Sequence, residues 1–336
     1  MSASPVGVLL VNLGTPSGAD YWSVRRFLRE FLSDPRVVEL PPPLWRPLLE
    51  LVVLTIRPRR SATAYRAIWN EERDEGPLKT ITRAQAEKLA ARAEIGAFGE
   101  TTPVVVDFAM RYGGPSIEQK LEALRERGCA RILVAPLYPQ YAASTTASVA
   151  DEVFRTLRRW RFQPALRIAA PYFDDPIYVD ALAASARAQL AALDFEPDVV
   201  LASFHGLPQA QIDRGDPYRR HCETTVELLR KALGMAAERL RLTFQSRFGR
   251  TQWTGPYTAT VVQELARSGV KRIAILTPGF SADCLETLEE IGVELHHLFL
   301  SNGGEKYARL DCLNDSEDGL LVIETVVRRE LAGWVK

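Results

Sequence analysis

Eight short apolar runs alternate with amphipathic stretches along nearly the whole chain, and that alternation leaves few folds open. The runs cover residues 6–13, 104–110, 131–137, 166–171, 199–204, 240–244, 272–276 and 293–298; helical patterns at 117–127, 179–193, 222–233 and 257–266 lie between them. Strands almost continuous in apolar residues and separated by helices imply parallel sheets covered on both faces. The chain also echoes itself. Residues 128–136 resemble 269–278, and residues 8–16 resemble 199–208. Two four-stranded halves, changing near residue 173, account for the strand count and the echoes; chance similarity between amphipathic segments accounts for the echoes alone.

A chain of 336 residues has room for two such halves. Lys+Arg and Asp+Glu are equal at 42 each, so no global field attracts nucleic acid, and no basic helix supplies a local one. Cys129, Cys222, Cys284 and Cys312 are scattered, with no C-x-x-C pair, which suits a reducing compartment. The first apolar run follows no basic leader, so a cytoplasmic location is expected.

One segment breaks the alternation. Pro41-Pro-Pro-Leu-Trp-Arg-Pro-Leu precedes an almost wholly aliphatic stretch to Ile56, and Arg57, Arg59 and Arg60 follow. It is too short to cross a bilayer, which takes about 20 apolar residues. A helix apolar nearly all round is either core or inserted into something greasy. With Pro47 in its first turn and Trp45 at its end, it reads as a buried helix, a lip on a membrane surface, or a grip on an apolar anionic ligand.

The acids that follow the seventh run carry the strongest chemical signal. Asp283, Glu286, Glu290 and Glu294 recur at three- and four-residue steps, so one helix face collects them. Such stacking costs a few tenths of a kcal/mol per like-charged pair unless cations or protons occupy it. Asp283 and Glu286 also fit a capping box, which leaves Glu290 and Glu294 unexplained. His205 directly follows the fifth run, at a strand's carboxyl end, where open α/β sheets place ligands. One imidazole and one carboxylate would make a weak, open site for a divalent metal, suited to handing it onward. His221 reads as a surface residue, and His296 and His297 as neighbours on a strand. No P-loop, dinucleotide fingerprint or nucleophile elbow is present; Ser203 shares a strand face with His205 but lacks an oxyanion motif. Aromatic and cationic residues near strand ends, including Tyr112, Tyr141, Trp253 and Phe280, suit a flat ligand or an ordinary core.

Taken in order, these blocks resemble the ferrochelatase family: 7–16, 27–36, 77–82, 109–116, 136–146, 203–208, 215–218, 245–249, 253–257 and 278–291. The resemblance implies two Rossmann-like lobes of chelatase type, each a four-stranded parallel sheet flanked by helices, with the active cleft between them. The first lobe would span 1–173 with its lip at 41–60, the second 174–312 with the metal site. A C-terminal helix in 313–336 would pack back on the first lobe. The implied activity is insertion of ferrous iron, as substrate, into protoporphyrin IX to give haem b. A non-catalytic porphyrin carrier and a coproporphyrin or cobalt chelatase are the alternatives. The family's metal-contacting pair falls on His205 and Glu286, its acidic path for metal or protons on Asp283, Glu290 and Glu294. Porphyrin contacts fall on Leu13, Arg57, Arg59, Arg60, Arg111, Tyr112, Tyr141, Trp253 and Phe280. Ala142 and Ala143 stand where some members carry cluster cysteines, so no iron–sulfur cluster is expected. Contact of 44–60 with the inner-membrane surface is expected, and a monomer or a homodimer.

Overall fold

The computed structural model describes residues 4–99, 101–249 and 251–336. It contains two four-stranded parallel sheets. The first holds β1 (Val6–Thr15), β2 (Val104–Gly113), β3 (Arg131–Pro136) and β4 (Ala165–Ile168) in the order β2-β1-β3-β4. The second holds β5 (Val199–His205), β6 (Leu240–Gln245), β7 (Arg272–Leu276) and β8 (Lys306–Arg309) in the order β6-β5-β7-β8. The two orders are the same, and the sequence echoes fall on matching strands, β1 with β5 and β3 with β7. Repetition of a fold unit therefore accounts for them.

Each sheet buries its founding strand between two neighbours. Val6 registers with Val104 on one side and Arg131 on the other; Val200 registers with Leu240 and Ala274. These interior strands need apolar side chains on both faces, which is why their runs are so legible. At the end of β1 the chains close so tightly that a Cβ on Gly14 would lie 1.9 Å from the Tyr112 carbonyl oxygen. Gly14 also sits at φ +118°, so only glycine fits there.

Two compact units carry these sheets. One comprises the chain up to Leu137 with Ala143–Ala170 and Ile323–Lys336; the other comprises Tyr138–Ala142 and Pro171–Val322. Residues 138–142 belong to the second unit, not to the first as the sequence suggested. Gln140 donates to Thr225 Oγ1 (3.1 Å), and the Tyr141 N–H donates to His221 Nδ1 (3.2 Å). In the first unit, Arg92 meets Glu324 of the C-terminal helix (Glu317–Glu330) at 2.7 Å, and Thr101 donates to the Lys336 carbonyl.

The strand expected at 293–298 is absent. Ile291, Leu295 and Phe299 are buried at four-residue steps, the spacing of a helix face, and pack with Val262, Leu265 and Ile275. A π-helix (Glu286–Glu294) runs directly into an α-helix (Leu295–Ser301), so His296 and His297 are helical. The actual last strand, β8, is a four-residue edge strand bounded by Lys306 and Arg309. A charged short edge resists unwanted pairing, and for the same reason it carries little apolar signal.

The lip is helical from Pro42 to Ile68, interrupted by a π-turn at Leu49–Val53. Pro47 lies inside the first helical piece rather than in its first turn. Its missing N–H and its ring disturb the α-ladder, and the π-turn follows immediately. Leu49 and Leu54 are buried, whereas Leu44, Leu48, Leu51, Val52 and Ile56 are exposed, Leu51 by 76%. Thus the helix is core on one side and greasy surface on the other. Trp45 is not at that surface: it is buried, and its indole N–H donates to the Leu32 carbonyl. Among the described residues no helix is long and apolar enough to cross a membrane.

Candidate active site

In the second unit the carboxyl ends of β5 and β6 and the start of the π-helix converge. His205 ends β5 beside Gln245, its register partner at the end of β6. His205 Nδ1 lies 2.7 Å from the Gly206 carbonyl oxygen. A carbonyl only accepts, so Nδ1 carries the hydrogen and Nε2 keeps a lone pair in the neutral ring. Gln245 accepts from Ser203 Oγ and donates from Nε2 to the Glu286 carbonyl at 3.2 Å. The next residue, Ser246, donates its N–H to one Glu290 oxygen (2.8 Å) and its hydroxyl to the other (2.5 Å).

The acids line up differently from the expected row. With i→i+5 bonding a turn takes more than four residues, so Glu286, Glu290 and Glu294 at four-residue steps stack nearly above one another. Glu286 and Glu290 are half-buried and Glu294 is exposed, so the row runs outward from the strand ends. Burial pushes the Glu290 carboxyl above its ordinary range; the Ser246 bonds and His205 pull it down, and the charge of Glu286 pushes it up.

Asp283 stands outside this row. It is buried, precedes the helix, and makes no capping box with Glu286. Its carboxylate accepts from Thr287 Oγ1 (2.7 Å), Arg309 Nη1 (3.0 Å) and Asn314 Nδ2 (2.7 Å), and its N–H donates to Asn314 Oδ1. Thr287, inside the helix, instead accepts from the Cys284 N–H just ahead of it (3.0 Å). An acid so held is an anchor: a guanidinium already meets its charge, and three donors take up most of its lone pairs. Arg309 reaches it over Gly292, where a Cβ would crowd the arginine stem at 3.2 Å.

Other expected residues separate into surface and core. Trp253 is half-buried with its ring 6.4 Å from that of His205, and its indole N–H is buried without an acceptor. Phe280 is half-buried, whereas Phe204 is wholly core. Ser203 is fully buried and also shares a hydrogen with Thr258, so it is no nucleophile. His221 is not a surface residue. It is buried, stacks on Phe173 at 3.7 Å, and accepts the Tyr141 N–H. Burial holds its pKa below the usual 6.5. Stability tied to the neutral ring is present above pH 6.5 and lost as pH falls through the depressed folded value. We expect acidification from pH 7 to 5 to lower the unfolding midpoint of the wild type more than that of His221→Gln; equal slopes in thermal melts would contradict this.

In the first unit Tyr112 has no exposed surface, and burial pushes its phenol far up. Its hydroxyl, Arg111 and Ser148 all donate to one oxygen of Asp34, at 2.8, 2.6 and 2.6 Å, and the Arg111 guanidinium lies over the Tyr112 ring. The tyrosine therefore supports Arg111 and has no ring face to offer a ligand. Leu13 and Arg57 are half-buried, and Arg59 and Arg60 are exposed. Sequence reasoning missed Asp34, Ser246, Arg309 and Asn314. None of the four stands out locally: Arg309 and Asn314 lie in a mixed stretch, 306–314, that also holds Lys306 and Asp311.

The ferrochelatase family model matches residues 5–331. The chain belongs to the ferrochelatase family. It is 57% identical to a ferrochelatase of Methylocella silvestris across 99% of this chain and 96% of that one. It is 55% identical to a ferrochelatase of Agrobacterium fabrum across 98% and 94%. Among solved structures, SirB from Bacillus subtilis with Fe3+ superposes with a TM-score of 0.57 over 98% of this chain and 96% of that one. At 17% identity that likeness speaks for the chelatase-like fold alone. Ferrochelatase membership makes the protein an enzyme of metal insertion into porphyrin, and sets aside the non-catalytic carrier and the cobalt chelatase. No cluster of three or more His, Cys, Asp or Glu able to cage a metal exists among the described residues. For a metal that is substrate rather than resident, a sparse site is adequate.

Proposed function

We propose that this ferrochelatase inserts ferrous iron into protoporphyrin IX with His205 and Glu286 meeting the metal and the pyrrole protons, and Glu290 and Glu294 leading outward. The carrying observation is the fixed tautomer of His205 beside the stacked acids. Metallation exchanges two pyrrole N–H protons for one Fe2+, so two protons must leave as the iron enters. His205 has one lone pair, at Nε2, which serves a proton or the iron but not both at once. Glu286 is the partner for the other. Glu290, pushed up by burial yet bonded by Ser246, is suited to take a proton and pass it on towards exposed Glu294. Asp283 anchors the start of this row. Leu13, Arg57, Arg59, Arg60 and Arg111 in the first unit, and Tyr141, Trp253 and Phe280 in the second, are the proposed porphyrin contacts. Ala142 and Ala143 offer no thiolate, and Cys129, Cys222, Cys284 and Cys312 are scattered along the sequence, so no iron–sulfur cluster is part of this reading. Steady-state anaerobic metallation across a panel of porphyrins and divalent metals tests it. Protoporphyrin with ferrous iron should give the highest kcat/KM; a clear preference for coproporphyrin would overturn the substrate assignment.

The exposed aliphatic face of the lip supports a second reading, contact with an anionic membrane surface through 44–60. Leu51 and Ile56 bury little in the protein, so Leu51→Ser with Ile56→Ser should not move the unfolding midpoint. Losing two inserted aliphatic side chains costs about 3 kcal/mol of partitioning, more than about a hundredfold in vesicle affinity. Unchanged co-sedimentation with anionic vesicles would count against membrane contact.

A further inference from the structure

We propose that Ser246 is a positioning residue for metallation, holding the Glu290 carboxylate so that it relays protons away from Glu286. This rests on the role given to Glu290 above. The chain leaves β6 at Gln245, and Ser246 at once adopts φ +63°, the left-handed region that L-residues avoid. Among described non-glycine residues only Asp74 and Asn314 share that region, and both are Asx types that tolerate it. A serine there has no such excuse, and backbone strain of this kind collects where function demands it. Its geometric result is specific. The left-handed turn brings the N–H and the hydroxyl of one residue onto the two oxygens of one carboxylate, at 2.8 and 2.5 Å.

Two donors from one rigid source fix the plane of the Glu290 carboxyl and leave one lone pair on each oxygen for a proton. The short O–H···O contact has the length of a charge-assisted bond to an ionised acid. Ser246 thus favours release of a proton from a group that burial favours loading. The charged or titratable side chains acting on Glu290 are His205 and Glu286. Glu290 in turn acts on Tyr307, as does Arg309. Gln245 adds a bond to the Glu286 backbone carbonyl, so two consecutive residues at one strand end are tied to the acid-bearing helix.

The test compares Ser246→Gly, Glu290→Gln and the double variant in anaerobic iron-insertion kinetics. Glycine keeps the N–H, accepts the left-handed backbone and removes only the hydroxyl. Ser246→Gly should lower kcat about tenfold, the loss of one hydrogen bond to a charged group. KM for iron and porphyrin should stay unchanged, and the melting midpoint should not fall. In the Glu290→Gln background the same change should cost nothing further. Wild-type kcat in Ser246→Gly, with Glu290→Gln slow, would overturn the positioning role while leaving Glu290 its place. Losses that multiply in the double variant would also overturn it. Wild-type kcat in Glu290→Gln would remove the relay itself, and a slow Ser246→Gly beside it would place the serine's effect elsewhere.

Discussion

His205→Ala is expected to lower kcat for ferrous iron insertion by about a hundred- to ten-thousandfold, the range that a positioned acid–base group contributes. Its unfolding midpoint should barely move. The imidazole makes one hydrogen bond, to the carbonyl of the very next residue, so little of the fold depends on it. Its neighbours are held by other means: Gln245 by Ser203, and Glu290 by Ser246. What the variant loses is one lone pair at the end of β5, opposite the start of the acid row. Because Nδ1 is committed to Gly206, no rotation of the ring brings a second nitrogen to the task without breaking that bond. A folded His205→Ala protein that metallated protoporphyrin at the wild-type rate would move the chemistry away from this strand end.

The parts of this site visible in the sequence were those that a single segment carries. His205 follows an apolar run, and the acids repeat within one helix, so local spacing revealed both. The sheets were legible for a similar reason: β1 and β5 lie between two neighbours and must be apolar on both faces. β8 was not, since a four-residue edge strand flanked by charges has no such requirement. Residues 293–298 misled because their apolar positions alternate briefly, while the spacing that decides, Ile291 to Leu295 to Phe299, extends beyond that window. The π-helix was equally hidden, as a four-residue acid repeat fits an α-helix well. Pairings across the chain had no local signature at all. Asp34 meets Arg111 from 77 residues away, and Ser246 meets Glu290 from 44. Such distant partners tie Tyr112 to Asp34 beside Arg111, and move His221 from surface into core.

Asp283 shows the consequence most sharply, and it should respond to mutation in a way that a metal-path acid would not. Asp283→Ala is expected to destabilise the fold by about 3 kcal/mol, the lower end of the cost of stripping one partner from a buried ion pair. The lower end applies because Arg309 keeps 20% of its side chain exposed and can recover some solvation. Three donors lose a bond together, the Arg309 guanidinium, the Asn314 amide and the Thr287 hydroxyl, although Arg309 keeps Asp311 and Thr287 keeps the Cys284 carbonyl. Asn314 is itself left-handed at φ +52° and is kept there by the paired bonds to Asp283, so the turn at 311–315 should loosen with it. Asp283→Asn removes the charge but keeps an oxygen for Thr287 or Asn314, and should cost less. The ordering separates anchor from carrier. For an anchor, urea denaturation ranks wild type above Asp283→Asn and that above Asp283→Ala, with iron-insertion rates following the folded fraction. For a carrier of metal or protons, both variants would lose turnover while fully folded, and that result would return Asp283 to the acidic path.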